Sequence, residues 1–390
     1  MKCLQKLFVL AVIAFLTLGL ARSIWAPKAI NSYENRYAEQ MPAVSVAGYL
    51  DTTFQDGVEA GLMDQVPLAQ TMKSFYNRTH ARWVLSMVDA LYGEEKTQYV
   101  AYEGLRLFGE NYLVNWTRTL ETSQEDLDRK IQALNATFAR HPELDFYVYY
   151  IEKDTDIDFI TGEKSGLAEY LLSGLDLPAE RQAVFTVDSF AEFAQKFYKT
   201  DTHWNYAGSY EGYCQLHDLL GCQGPVLQPA GEAQLVGDAF SGVKAGNIGA
   251  EGILTEPFYA VPYDFPAMSI SINGASGVDY GDQAAFLQGT SSLSLTYGNF
   301  YGGDNGETVF STGTQGRGSL LVLGESFDNA ILKLLASHYD TLYSVDLRYY
   351  EHSMGHPFDL SAYTKEHGIS SVLLLGNIDY FVQDTFDPEA

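Results

Sequence analysis

Three stretches of the sequence, LDFYVYYIE (144–152), SLLVLG (319–324) and ISSVLLLG (369–376), carry apolar β-forming residues consecutively rather than alternately. A strand with one wet face alternates, whereas a strand apolar on both sides must be covered on both sides. Helices packed on each face of a sheet meet that demand, and the intervening sequence supplies them. Thr122 and Glu125 have capping-box spacing, and Leu127, Ile131, Leu134 and Phe138 then hold one face apolar until His141-Pro142 ends the helix. Helices are also predicted over 66–91, 165–174, 189–198, 208–221 and 328–338 and near 360–367, with further strands at 184–188 and 341–346. Strand, helix, strand, helix is the order of a parallel sheet, so the expected class is α/β.

The rhythm lapses over 223–316, where Gly, Ser, Thr, Tyr and Pro dominate and only short runs such as MSISI read as strands. That segment is expected to be an irregular, partly β insertion or lid. Residues 27–65 are an irregular lead-in. Before them, Lys2 and Lys6 precede an uncharged run of fifteen residues at 7–21, apolar apart from Thr17. Fifteen fall short of the roughly 20 that span a bilayer. Gly19-Leu20-Ala21 offers small residues for cleavage, while Ile24 and Trp25 extend the run. Residues 1–26 therefore read as a signal peptide or membrane anchor, with the lysines inside and the body, 27–390, outside. The expected location is extracytoplasmic, membrane-anchored or secreted. Cys214 and Cys222 remain as an even pair, either bridged or as two buried thiols. With 50 acidic against 24 basic residues and no basic run, the chain is unsuited to nucleic acid and compatible with a neutral glycan or a small molecule.

Two short segments carry candidate chemistry. In LLVLGESFDNAIL (320–332), Ser326 stands between a buried strand and a helix start, where ligands of open α/β sheets bind and where free N–H groups suit an oxyanion. A lone serine at such a turn is ordinarily a helix cap, so a base is required. YKTDTHWNYAGSY (198–210) offers one: His203 to accept the serine proton and Asp201 to hold the other ring nitrogen. By itself Asp-x-His is equally a metal pair or a solvated loop. Arg348, in VDLRYY, follows a strand end and is expected to reach the same crevice, to bind a substrate carboxylate, to brace Glu325 or to serve as a structural ion pair. Trp204, Tyr206, Tyr349 and Tyr350 have the flat rings that stack on sugars, against a default of core packing. Tyr297 and Asn299, in TYGNFYGG, are candidates to complete the oxyanion site. His352 and His356 are four apart, but Gly355 and Pro357 spoil a helical metal pair, and no metal or cofactor is expected.

FYKTDTHWNYAGSY followed by LLVLGESFDNAILKLLASHYDTLYSVDLRYY resembles the DHHW-type branch of the SGNH-hydrolase-like proteins, a branch that includes periplasmic proteins acetylating alginate. ENRYAEQMP (34–42), GLMDQVPL (61–68) and VLLLGN extend the likeness, which is weakest over 223–295. The resemblance implies an SGNH-hydrolase-like, flavodoxin-like domain over 27–390 with its insertion at about 223–316. It implies Ser326 as nucleophile, His203 as general base and Asp201 as its orienter. It further implies O-acyl transfer, most often of acetyl, to a polysaccharide beside a membrane-bound O-acyltransferase. The same triad makes an acyl esterase when water is the acceptor, and a fold that has lost the reaction makes a glycan-binding or assembly protein. One departure is Glu325, where many relatives carry aspartate before the serine.

Overall fold

The computed structural model describes residues 2–28, 30–31, 36–65, 69–93 and 96–383. The chain divides into two compact units, residues 1–91 with 245–253, and residues 92–244 with 254–390. The first is helical. Its N-terminal apolar run forms one helix, Lys2–Trp25, and helices Thr53–Gln65 and Ala69–Tyr92 follow. Among the described residues no helix is long and apolar enough to cross a membrane.

The second unit is built on a sheet of eight strands: β1 (Asp145–Ile151), β2 (Gln182–Phe185), β3 (Ser269–Ile272), β4 (Ala275–Ser276), β5 (Glu307–Ser311), β6 (Ser319–Leu323), β7 (Thr341–Val345) and β8 (Ser371–Gly376). Their spatial order is β4-β3-β5-β7-β6-β8-β1-β2. From β7 to β2 every pairing is parallel, with Leu321 opposite Tyr343 on one side of β6 and Leu323 opposite Leu374 on the other. Strands β3, β4 and β5, drawn from the segment read as an insertion, extend the same sheet antiparallel.

The pleat explains the unbroken apolar runs. Leu320 and Val322 enter one core with Leu342, Leu373 and Ile151, while Leu321 and Leu323 enter the other with Val345, Leu374 and Val148. Helices α2 (Phe190–Lys196), α3 (Tyr206–Leu219) and α4 (Leu332–Ala336) contribute side chains to the first core. Helix α1 (Leu120–Arg140), Leu167–Gly174, and α5 (Leu347–Met354) and α6 (Leu360–His367) contribute to the second. The chain leaves β6 for β7 over the first face and returns from β7 to β8 over the second. The tip of β6 is therefore the point where strand order reverses, and Ser326 lies just beyond it.

Several boundaries differ from expectation. Thr119, not Thr122, caps α1, its hydroxyl accepting from the Thr122 N–H, so the capping box is unused. The helix expected over 328–338 is a tight turn at Asp328–Ala330 followed by the short α4. Asn329 explains the tightening, since its side chain is held by Tyr280 at 2.5 Å and Asp304 at 3.0 Å. Helix α5, capped by Asp346, lies outside the predicted helices. Cys214 and Cys222 are free thiols.

Candidate active site

Asp201 and His203 occupy the loop between α2 and α3. Phe197 pairs with Trp204 across it, the Tyr198 N–H reaches the His203 carbonyl at 3.2 Å, and the Asn205 N–H reaches the Lys196 carbonyl at 2.8 Å. Asn205 then caps α3 through Oδ1. The loop is closed on itself, with Trp204 as its plug. That indole is fully buried between Phe185, Phe327 and Gly212, where an added Cβ would stand 2.6 Å from the ring.

The loop delivers its histidine to the tip of β6. His203 Nε2 is 2.7 Å from Ser326 Oγ, and His203 Nδ1 is 2.5 Å from Asp201 Oδ1. Asp201 Oδ1 also accepts the His203 backbone N–H at 3.1 Å, and Oδ2 accepts the Val243 N–H at 2.8 Å. Asp201 and His203 are buried, whereas Ser326 is partly open to solvent. Burial alone would raise the Asp201 carboxyl, but attraction to His203 and the hydrogen bonds from His203 and Val243 overcome it, leaving the pKa below its ordinary value. The acid stays ionised and acts as an acceptor only, which directs the Nδ1 proton toward it and leaves Nε2 free to accept from the serine.

Three further groups set this geometry; of them only Tyr297 was a sequence candidate, and for a different role. Tyr297 stacks on the His203 ring at 3.9 Å and 5°, and Phe327 flanks that ring at 5.0 Å. Gly242 lets the chain pass Asp201: a Cβ there would stand 2.3 Å from Asp201 Cβ and 2.5 Å from Oδ2. Glu256 ties down the approach to Asp201, accepting the Lys199 N–H at 2.8 Å and the Thr200 N–H at 2.6 Å. Thr200 Oγ1 donates to Glu256 at 2.7 Å and accepts from the Gly242 N–H at 3.0 Å. The segment read as an insertion therefore supplies Gly242, Val243 and Glu256 to the shell around Asp201.

Beneath Ser326, Glu325 joins three strand tips. Its Oε1 accepts from Asn377, after β8, at 2.8 Å, and its Oε2 accepts from Arg348, after β7, at 3.3 Å. Burial raises the Glu325 pKa, while the Arg348 guanidinium opposes the rise. The Ser326 and Phe327 backbone N–H groups make no hydrogen bond among the described residues, so as the amides nearest Oγ in the chain they are the candidates to meet a developing oxyanion.

The other sugar-facing and oxyanion candidates do not join the triad. Trp204 and Tyr350 are core residues with no face to offer a glycan. Tyr297 is buried with one face against imidazole. Asn299 spends its side chain on the Ser294 carbonyl at 2.9 Å. Arg348 is engaged by Asp346, Glu325 and Asp304 and braces the nucleophile turn. Tyr349, half-buried, lies 5.3 Å from the Arg348 guanidinium carbon.

No family model and no curated protein matches the chain. Solved structures do. Bacillus cereus PatB1 with a sulfonyl adduct is 19% identical, with a TM-score of 0.54 over 75% of this chain and 97% of that one. A DHHW family protein from Eubacterium siraeum is 15% identical, with a TM-score of 0.54 over 74% of this chain and 95% of that one. The chain has the fold of a DHHW family protein. At these identities the likeness is one of fold, and within the DHHW fold the chemistry has to be argued from this chain's own Ser326, His203 and Asp201.

Proposed function

We propose that the chain is an exported serine-dependent O-acyltransferase that places acyl groups, most simply acetyl, on an envelope or secreted polysaccharide. The observation that carries the reading is the unbroken relay from Ser326 Oγ through both ring nitrogens of His203 to Asp201. As Ser326 Oγ attacks the donor carbonyl, its proton passes to His203 Nε2, and Asp201 stabilises the imidazolium without taking a proton. The carbonyl oxygen gathers negative charge toward the Ser326 and Phe327 N–H groups. Collapse expels the donor's leaving group with the proton held by His203 and leaves an acyl ester on Ser326. A sugar hydroxyl, deprotonated by the same imidazole, then takes the acyl group and regenerates the serine.

Export rests on Lys2, Lys6 and the apolar N-terminal helix, retained as an anchor or cleaved. A membrane-bound O-acyltransferase is the proposed donor partner, and residues 27–390 are the proposed SGNH-like catalytic domain with its insertion at about 223–316. The fold shared with PatB1, solved with a sulfonyl adduct, suggests the assay. Ser326 Oγ, its proton passing to His203, should displace fluoride from methanesulfonyl fluoride, which should block cleavage of a chromogenic acetyl ester and leave a methanesulfonyl adduct on the Ser326 peptide. With oligosaccharide present, the untreated protein should acetylate sugar in preference to releasing acetate. Acetate release unaffected by sugar would make it an esterase. No turnover of any ester, with normal glycan acetylation in cells carrying His203→Ala, would make it a non-catalytic assembly protein.

A further inference from the structure

Helix Ala69–Tyr92, in the first compact unit, is apolar on two opposite sides. Ala81, Leu85 and Val88 form its buried side. At about 100° per residue, Met72, Phe75, Tyr76, Trp83 and Met87 fall within a sector of about 120° on the other side. All five are 59% to 74% exposed. Soluble monomers rarely leave so long an apolar stripe open to water.

Charge says what covers it. Residues 69–92 hold Lys73, Arg78 and Arg82 against one acid, Asp89, in a chain whose formal charge is −26. On the same helical projection Arg82 borders one edge of the apolar sector, with Arg78 and Asp89 beyond it, and His80 followed by Lys73 borders the other. An apolar stripe edged by cations is the layout of a helix lying in the headgroup region of an anionic bilayer, its cations at the phosphates and its apolar side chains below them. A second copy of the helix would bring like charges together along both edges. The apolar helix Lys2–Trp25 belongs to the same unit and exposes Leu7, Phe8, Leu10, Leu18 and Trp25, which gives the unit a second lipophilic element.

We propose that the Met72, Phe75, Tyr76, Trp83 and Met87 face of helix Ala69–Tyr92 rests on an anionic phospholipid surface. The test uses full-length protein carrying Trp25→Phe, mixed with vesicles of phosphatidylglycerol and phosphatidylcholine brominated on the acyl chains. Bromine should quench the tryptophan emission, and adding Trp83→Phe should remove at least half of that quenching. Arg78→Glu with Arg82→Glu should reduce it to the level seen in vesicles of phosphatidylcholine alone. Quenching unchanged by Trp83→Phe in vesicle-bound protein overturns the proposal. So does a dimer in detergent-free buffer that Trp83→Asp converts to monomer, because a second copy would then cover the face.

Discussion

Gly242→Ala is the sharpest perturbation of the relay, because it touches no reacting atom and sits in a stretch without a motif. The new methyl would stand 2.3 Å from Asp201 Cβ, 2.5 Å from Oδ2 and 2.6 Å from Asp201 Cα, backbone included. Restoring ordinary contact needs a shift of about 1 Å, and a misplacement of that size at a catalytic group costs about 10²-fold in rate. The shift also stretches the 2.8 Å bond from the Val243 N–H to Oδ2, which helps to hold the carboxylate against its burial. Overpacking should cost about 1–3 kcal/mol of stability. The assay is kcat/KM for a chromogenic acetyl ester, read well below the thermal midpoint so that loss of fold does not enter. Gly303→Ala serves as control, since a Cβ there meets nothing within 4 Å. A Gly242→Ala protein within twofold of the parent would refute the view that the Gly242–Val243 approach holds Asp201 in register.

Asp201→Asn should lower kcat by about 10³–10⁴-fold with little change in KM, since an amide no longer enforces the Nδ1–H tautomer; a loss confined to KM would contradict that. Trp204→Ala should cost about 3–5 kcal/mol in denaturant unfolding, as for other buried aromatics, whereas unchanged stability with a raised KM for glycan would restore a sugar-stacking role. His338 should make the fold acid-sensitive. Its Nε2 lies 2.6 Å from Tyr213 Oη, its Nδ1 lies 3.0 Å from the Gln223 carbonyl, and burial lowers its pKa below 6.5, with His217 and Arg317 adding to the effect. A depressed histidine contributes stability that is complete above the unfolded value and is lost as pH falls through 6.5 toward the folded one. The thermal midpoint should therefore drop between pH 7.5 and 5.5, and His338→Gln should flatten that drop; an equal drop in the variant would assign it elsewhere.

Much of the parallel sheet was legible because its signal is local. Leu320 to Leu323 must be covered on both faces whatever lies around them. The Asp-x-His segment and the serine turn could each be picked out by residue type. Their meeting could not, because it depends on a strand reversal made by residues 319–376 and on a loop whose depth is set by Trp204. Trp204 and Tyr350 illustrate the converse error: an aromatic beside a polar motif gives no sign of which way it faces, and here both turn inward. Gly242, Val243 and Glu256 were invisible for another reason. Two of them act through backbone, a carbon not present and an N–H that every residue but proline has. Glu256 acts on neighbours more than fifty positions away.

The covalent step can be observed directly. Full-length protein mixed with an activated acetyl ester and acid-quenched within milliseconds should carry one acetyl group on the peptide containing Ser326. His203→Ala should slow its appearance, and Ser326→Ala should abolish both it and turnover. Acetyl found on another side chain, or undiminished turnover by Ser326→Ala, would contradict the relay as the seat of the chemistry.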